Sequence, residues 1–366
     1  MKRIKELDGL RGIAILLVII WHYCAIQIEP GSSAVLGLLV RVLSITWSGV
    51  DLFFVLSGFL IVGILVDAKG SPTYFKTFYI RRICRIFPLY YLMVVLFFLL
   101  PRLDLFTNDW LFAPELPPLS YLTLTQNFFM HQTGFGPNWL GVTWSLAIEE
   151  QFYLVIPLLV WWLGRKQLAL TFVLLILLAP FLRNHFGNLG AYVFPFTRAD
   201  SILMGGLIAL AMRSKTTWQF VREKSHFLRW LLALFSAGIV YLMTINAGVG
   251  DKFLHFVLSL FCGTLLVMSL DSKGTFFKSL LNNRILVWFG LRSYGIYLFH
   301  QPVGSMVHQL INHSPVPTLT SFSGLFANVV ALVLVAVLCE LSFRYYESVF
   351  LRFGSKFRMT PAPENK

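Results

Sequence analysis

The sequence predicts an all-α, polytopic membrane protein with about ten transmembrane helices and both termini in the cytoplasm. Hydrophobic residues make up 57% of the 366 residues and charged residues only 13%, whereas a soluble globular domain has about 25% charged residues. The mean hydropathy is +0.72. These values exclude an ordinary soluble enzyme and a disordered chain, because so few residues favour contact with water.

The net charge of +13 would suggest a nucleic-acid partner in a soluble protein, but its distribution favours a membrane explanation. If the N-terminus is inside, 24 of the 30 Lys and Arg residues fall in predicted cytoplasmic segments and 4 in outer segments. Positive residues concentrate on the cytoplasmic loops of membrane proteins. We therefore expect this orientation, membrane lipids as partners and no nucleic acid.

The predicted helices follow apolar runs of roughly the 20 residues that a bilayer requires. The first run is interpreted as a membrane helix and not as a removable signal, since no small-residue cleavage site follows it. The longest outer segment, 102–142, is rich in Pro and Gly and predicts turns with short interfacial helices. We expect a transmembrane domain over 1–345 and a cytoplasmic tail over 346–366. The predicted spans are 12–29, 44–66, 86–101, 143–163, 167–183, 194–212, 228–248, 253–271, 285–310 and 322–343.

The four cysteines, Cys24, Cys84, Cys262 and Cys339, lie far apart and form no CxxC pair. We expect them to be reduced residues of the core. The soluble acyltransferase patterns HxxxD and HxxxxD, the P-loop, GxSxG and HExxH are all absent from the sequence. This absence argues against a serine hydrolase, a P-loop ATPase or a zinc protease, and we expect no metal site.

Ionisable residues within membrane helices are costly, so each is a candidate for function. Arg11 and His22 are eleven residues apart, which places them on one face of a helix and about 16 Å apart along its axis. This pair suits a long anionic ligand, with its charged end at Arg11 and its reactive end at His22. The alternative is a cytoplasmic anchor and a core histidine bonded to a carbonyl.

Two further segments carry charge in the cytoplasmic and outer halves of the predicted bundle. Arg82 and Arg85, in a predicted basic turn, are three residues apart and could grip a phosphate together, or contact anionic lipids. Asp51, about two turns into the second predicted span, could orient a histidine or bind a sugar hydroxyl. Alternatively, it forms a salt bridge to an intramembrane arginine.

The fourth predicted span opens with two adjacent glutamates, which point 100° apart. We favour Glu149 for function because it shares a face with Ser145 and Tyr153, and we expect Glu150 to pair with a cation or to cap the interface. Arg198 and Asp200 enter the sixth span, and His300 lies in the outer half of the ninth. These three residues are either functional or paired structurally.

Together these motifs resemble acyltransferase family 3, the multi-pass membrane acyltransferases that include bacterial O-antigen and exopolysaccharide O-acetylases. The resemblance runs from residue 7 to about residue 302. The matching elements are LDGLRGIA at 7–14, Arg11 with ten residues before His22, GVDLFFVLSGFLI at 49–61, Arg82 and Arg85 before Pro88, Trp144-Ser145 with EEQFY at 149–153, and Ser293-Tyr294 leading to His300.

The resemblance implies transfer of an acyl group, usually acetyl from cytoplasmic acetyl-CoA, to a hydroxyl of a carbohydrate, free or lipid-linked, in the bacterial inner membrane. Many members carry a C-terminal hydrolase-like domain. Since this chain ends about twenty residues after its last predicted span, we expect the stand-alone form, with acyl-CoA as a substrate and no permanently bound cofactor. A separate partner protein stays open.

The expected roles follow from depth and charge. Arg11, Arg82 and Arg85 would bind the CoA phosphates, and His22 would act as general base or acyl carrier, with Arg11 and Glu149 as further catalytic residues. The expected substrate-binding residues are Asp51, Ser145, Tyr153, Arg198, Asp200 and His300. The alternatives are a transporter or exporter of a glycan or small anionic solute, and a lipid-linked glycosyltransferase.

Overall fold

The computed structural model describes residues 3–29, 31, 33–103, 108–245, 252–271 and 275–359, and every regular element in these ranges is helical. The α-helices are α1 Lys5–Ile20, α2 Ala34–Ser44, α3 Gly49–Ala68, α4 Tyr74–Leu99, α5 Asp109–Phe112, α6 Pro118–Leu122, α7 Gln126–Thr133, α8 Asn138–Gly141, α9 Trp144–Trp162, α10 Arg165–Arg183, α11 Asn188–Val193, α12 Ala199–Met212, α13 Lys215–Glu223, α14 Ser225–Thr244, α15 Leu254–Leu270, α16 Thr275–Leu281, α17 Arg284–Asn312, α18 Phe322–Leu341 and α19 Ser348–Ser355. Turns of 3₁₀-helix occupy Ile45–Ser48 and Pro101–Leu103, and π-helix occupies Trp21–Ala25 and Ser342–Glu347.

Six helical stretches of the described chain are long and apolar enough to cross a membrane. These are Lys5–Ala25, Ala34–Ala68, Tyr74–Leu103, Arg165–Arg183, Ser225–Thr244 and Phe322–Ser355, with α12 and α15 as shorter apolar helices. The all-helical, multi-pass class is therefore confirmed. The predicted spans at 143–163 and 285–310 coincide with α9 and α17, while the total of ten and the orientation stay predictions.

Helix α4 begins at Tyr74, twelve residues before the predicted start of the third span. The Tyr74 hydroxyl donates to the carbonyl of Pro157 on α9, at 3.1 Å, and the Tyr79 hydroxyl to that of Leu154, at 3.2 Å. These aromatic anchors hold the basic stretch helical, which a hydropathy criterion alone could not detect. The prediction of a basic turn was therefore wrong, and Arg82 and Arg85 lie on the helix itself.

The core of the bundle depends on close helix contacts at glycines. A Cβ at Gly58 of α3 would overlap the carbonyl oxygen of Ile202 on α12, and one at Gly290 of α17 would overlap the carbonyl oxygen of Asp8 on α1. Small residues allow helices in membranes to approach this closely. Helices α1, α3, α12 and α17 consequently form a tightly packed centre, and α4 and α9 lie beside it.

Two predicted non-span segments also fold against the bundle. Within 102–142, the described residues form the short helices α5 to α8, which confirms the predicted turns and short helices; residues 104–107 lie outside the described chain. In the segment predicted as a tail, α19 packs on α4, and Arg81 donates to the carbonyl of Phe357 at 2.8 Å. Residues 360–366 also lie outside the described chain.

All four cysteines are free thiols, and Cys262 and Cys339 are buried. The prediction of reduced core cysteines is confirmed for Cys262 and Cys339, whereas Cys24 and Cys84 are only partly buried.

Candidate functional site

A cavity of about 300 Å³ lies between α1, α3, α4, α9 and α17. We call it the arginine cavity. It brings together side chains from five helices, and these residues are up to 286 positions apart in the sequence. A local sequence pattern could not show that they line one cavity. Its polar lining residues are Arg11, Ser57, Arg82, Arg85, Ser145, Glu149, Tyr153, Ser293, Tyr294 and Tyr297.

The three arginines of this cavity are poorly neutralised. Arg11 reaches Asp8 only at 3.9 Å, and Asp8 is also paired with Arg3 at 2.7 Å. In the described chain, no carboxylate lies within ion-pair distance of Arg82 or Arg85. Guanidinium groups with unused donors form strong bidentate bonds to phosphate, so this arrangement can bind an anionic ligand.

The carboxylate of Glu149 ends a short chain of hydrogen bonds within the cavity. The Tyr153 hydroxyl donates to Glu149 Oε2 at 3.1 Å. Since that proton is used, the Ser57 hydroxyl donates to the Tyr153 oxygen, at 2.5 Å. Arg82 stacks over the Tyr153 ring, with its Cζ 5.7 Å from the centroid. The predicted face of Glu149, Ser145 and Tyr153 therefore does line one cavity.

Glu150 points elsewhere. Its Oε1 is buried without a hydrogen-bond partner in the described chain, and no described cation lies within ion-pair distance of it. Of the two expectations for Glu150, the cation partner is thus not found among the described residues, and a position capping the interface stays a prediction.

A second cavity of about 210 Å³ contains His22 and is called here the histidine cavity. No Lys, Arg, Asp or Glu of the described chain lines it, in contrast to the arginine cavity. Its lining residues are Val18, Trp21, His22, Ile26, Trp47, Val50, Phe135, Asn138, Gly141, Val142, Trp144, Tyr192, Tyr297 and Gln301.

The two cavities share Val50 and Tyr297, which line both. The Tyr297 hydroxyl donates to the carbonyl of Val142 at 2.7 Å, and the Ser145 hydroxyl lies 2.6 Å from the Tyr297 oxygen. These bonds hold the Tyr297 ring between the two cavities, where Val50 and Tyr297 form a partition. Arg11 and His22, which the helix spacing placed on one face, thus line neighbouring cavities and not one continuous pocket.

The hydrogen bonds of His22 determine which of its nitrogens is free. Its Nδ1 lies 2.9 Å from the carbonyl oxygen of Val18, which can only accept, so Nδ1 carries the proton. The Nδ1 of His300 likewise donates to Ile296, at 3.0 Å, and its Nε2 lies 3.3 Å from His22 Nδ1. In a neutral imidazole the other nitrogen is an acceptor. The lone pair on His22 Nε2 is therefore available to a molecule in the histidine cavity.

His22 lies in the π-helical turn Trp21–Ala25, which continues α1. Such turns are often found at functional sites. Gln27 Nε2 donates to the carbonyl of His22 at 2.7 Å, and Asn328 Nδ2 donates to Gln27 Oε1 at 2.7 Å and to the carbonyl of Tyr23 at 3.0 Å. These amides hold the turn in place. Sequence reasoning missed them, although an asparagine within the apolar run of α18 was a detectable signal.

Three predicted substrate-binding residues lie in a separate cluster that reaches neither cavity. Asp51, Arg198 and Asp200 have no exposed surface. Arg198 pairs with Asp51 at 2.7 Å and contacts His255, while Asp200 pairs with Arg183 at 2.7 Å. A substrate could reach these groups only if the ion pairs broke, so their arrangement matches the structural pairing that the sequence left open.

His300, another predicted substrate-binding residue, is also fully buried. It lines neither cavity and contacts His22 from behind. Its position suits a residue that orients His22 rather than one that touches substrate. No cluster of three or more His, Cys, Asp or Glu residues able to hold a metal is found in the described chain.

Comparisons with known proteins show which sequences this chain is similar to. A family model described as an acyltransferase domain matches residues 4–341. YrhL of Bacillus subtilis (strain 168) is 30% identical over 374 residues, which cover 94% of this chain and 54% of that protein. The peptidoglycan O-acetyltransferase OatA of Listeria monocytogenes is 28% identical, covering 96% of this chain and 56% of that protein. The O-acetyltransferase OatA of Staphylococcus aureus (strain NCTC 8325 / PS 47) is 27% identical, with 96% and 57% covered.

The chain thus spans about half the length of these curated relatives. No solved structure matches it.

Proposed function

This chain belongs to the acyltransferase domain family, and on that premise we propose that it is a membrane O-acyltransferase. It moves an acyl group, which we propose is acetyl, from cytoplasmic acyl-CoA to a hydroxyl of a carbohydrate. Peptidoglycan is the acceptor to test first, because it is named as the substrate of the relative from Listeria monocytogenes. The observation that carries the proposal is the free lone pair of His22 Nε2 beside a cavity lined by three arginines.

The donor binds in the arginine cavity. Arg11, Arg82 and Arg85 hold the phosphates of CoA, because these guanidinium groups have donors to spare and phosphate accepts them in pairs. The thioester end then extends towards Val50 and Tyr297, the residues common to both cavities. Transfer requires that these two side chains part, so that the acyl carbonyl reaches His22.

In the reaction, His22 Nε2 removes the proton of the acceptor hydroxyl. The hydroxyl oxygen attacks the carbonyl carbon of the thioester, an ester bond forms, the carbon–sulfur bond breaks, and CoA leaves as a thiolate that takes up the proton from His22. If His22 acts instead as acyl carrier, Nε2 attacks the thioester carbon first, the carbon–sulfur bond breaks and CoA leaves as a thiolate. The acceptor hydroxyl then attacks the acyl-imidazole, the bond between Nε2 and the acyl carbon breaks, and the hydroxyl proton passes to the CoA thiolate. His300 keeps the proton of His22 on Nδ1 in both routes.

The proposal includes the topology of ten spans, with both termini in the cytoplasm of a bacterial inner membrane. The distribution of Lys and Arg supports it. Arg11, Arg82 and Arg85 then face the compartment that contains acyl-CoA, and the histidine cavity opens towards the outer half, where α8 of the 102–142 segment contributes Asn138 and Gly141 to its lining. A bundle of about ten membrane-spanning helices also fits a transporter, but a transporter would not consume a thioester.

The test is acetyl-CoA consumption and acetyl-ester formation by purified protein in vesicles of known orientation. We expect His22→Ala to reduce both by more than a hundredfold, since general-base catalysis contributes about 10²–10⁴. His226→Ala is the matched control, because that imidazole is exposed on α14 and should leave the rate unchanged. Full activity of a correctly inserted His22→Ala protein would contradict the mechanism. Consumption of acetyl-CoA supplied only to the outer face, opposite Arg11, would contradict the topology.

A further inference from the structure

We propose that the histidine cavity binds one sugar ring of the acceptor and that Gln301 determines which of its hydroxyls reaches His22. This inference rests on the proposed function and names the residue that sets its specificity. The cavity combines an aromatic wall with a few uncharged polar groups, the composition of a site for a neutral, amphipathic ligand.

Gln301 differs from the other buried glutamines of the described chain. It is 8% exposed and lines the histidine cavity, and its side-chain amide has no hydrogen bond to any described residue. The side chains of Gln27 and Gln126, the other two, both donate hydrogen bonds. An amide offers two donors and two acceptor sites, and neither amide atom of Gln301 is sealed off from the cavity that the residue lines. The free amide of Gln301 is therefore available to a polar ligand that enters the cavity.

The polar groups around the cavity can form hydrogen bonds to sugar hydroxyls at defined positions. His22 Nε2 accepts a proton or hydrogen bond, as argued above. Asn138 uses Nδ2 to donate to the carbonyl of Trp110 at 2.9 Å, which leaves its Oδ1 as an acceptor. Gln301 immediately follows His300, whose ring supports His22, so its position is tied to the catalytic imidazole. A hydroxyl at His22 and a neighbouring group at Gln301 would orient one ring.

The aromatic wall suits the apolar face of a sugar ring, on which C–H groups can pack against π-systems. Trp144 and Tyr192 lie 4.4 Å apart between centroids, and Trp47 meets Tyr192 edge-on at 5.8 Å. Behind this wall, the Arg198 guanidinium lies 5.2 Å from Tyr192 and 6.0 Å from Trp144. Such cation–π contacts are attractive, so the Arg198 guanidinium helps to hold the two rings in place.

The absence of charge from the described lining separates this ligand from the donor. A CoA phosphate finds three guanidinium groups in the arginine cavity but none in the histidine cavity. A carbohydrate hydroxyl needs only neutral partners. The partition of Val50 and Tyr297 therefore divides an anionic donor site from a neutral acceptor site.

The experiment compares Gln301→Leu, which keeps the size of the side chain and removes its amide, with the control Gln219→Leu. Gln219 is exposed on α13 and bonds only Glu223 among the described residues. Equilibrium binding of a radiolabelled peptidoglycan disaccharide and of acetyl-CoA is measured on each purified protein, followed by NMR analysis of which hydroxyl is acetylated.

We expect Gln301→Leu to weaken disaccharide binding by about tenfold, as the loss of a buried hydrogen bond predicts, and to alter the position acetylated. Acetyl-CoA binding should stay within twofold of the wild-type value, and Gln219→Leu should change nothing. Unaltered disaccharide affinity and regiochemistry in Gln301→Leu would overturn the role of Gln301, and so would a wild-type protein that binds acetyl-CoA but no saccharide. If the wild-type protein binds both ligands and transfers no acetyl group, the proposed function fails while the saccharide site stands.

Discussion

Two groups of arginines lie among the helices of this protein, and they differ in whether a carboxylate is bound to each guanidinium. Arg183 and Arg198 have no exposed side-chain surface, and each pairs with an aspartate at 2.7 Å. Arg11, Arg82 and Arg85 line an open cavity, and the nearest carboxylate contact among them is 3.9 Å. The same residue type in the same bundle thus has two uses: paired arginines hold helices together, and unpaired arginines are available to a ligand.

The comparison explains why charge in a predicted membrane helix does not by itself identify a binding site. Burying a charge is costly unless it is paired. In the paired group the protein supplies the partner, and in the unpaired group the partner must come from outside. Substitutions in the two groups should therefore affect different properties, stability in one and donor binding in the other.

The largest effect is expected in the paired group. Asp51→Asn removes the carboxylate from Arg198 and leaves a buried, uncompensated guanidinium, so the protein should lose about 3–5 kcal/mol of stability. Asp67→Asn is the control. That carboxylate pairs with Arg213 at 2.6 Å but is about half exposed, so its loss should cost less than about 1 kcal/mol. Thermal unfolding in detergent measures both, and equal melting temperatures for the two variants would contradict the comparison.

The second effect concerns the unpaired group. Arg82→Ala and Arg85→Ala should each raise the KM for acetyl-CoA about tenfold or more, since bonds to charged groups are worth about 1.5–3 kcal/mol. The kcat should change less, because phosphate contacts are made equally in the ground and transition states. Arg81→Ala is the neighbouring control, since its guanidinium bonds the Phe357 carbonyl.

Steady-state kinetics and melting temperatures are both needed for these three variants. If Arg82→Ala and Arg85→Ala kept the wild-type KM, the two residues would be lipid anchors. If they lowered the melting temperature as much as Asp51→Asn does, they would belong to the paired group.

The smallest effect comes from ionic strength. Raising salt from 0.1 M to 1 M shortens the Debye length from about 10 Å to about 3 Å. The KM for acetyl-CoA should rise severalfold, because the donor is anionic and Arg85 lines the arginine cavity without an ion-pair partner in the described chain. The melting temperature should not fall, since Asp51 and Arg198 are inaccessible to ions. If the KM of the double variant Arg82→Ala,Arg85→Ala rose with salt as much as the wild-type KM does, the salt effect would not arise from these two arginines.

Much of the candidate site was predictable because its residues follow local rules. Arg11 lies in α1 and His22 in the π-helical turn that continues it, as their helical spacing predicted. Ser145, Glu149 and Tyr153 recur at helical spacing, and all three line the arginine cavity. The start of α4 was not predictable from hydropathy, because tyrosine hydroxyls bonded to α9 hold a basic stretch in the helix.

The sequence by itself determined the membrane class, the position of most helices and the set of ionisable residues among them, since composition and apolar run length depend only on neighbours in the chain. Only the tertiary structure decided which charges are paired and which cavity each residue lines. Asp51 and Arg198 are 147 residues apart, and Gln27 and Asn328 are 301 apart. Helical periodicity assigns a residue to a face of its own helix, but whether that face meets a carboxylate, an aromatic wall or an open cavity depends on the helices packed against it.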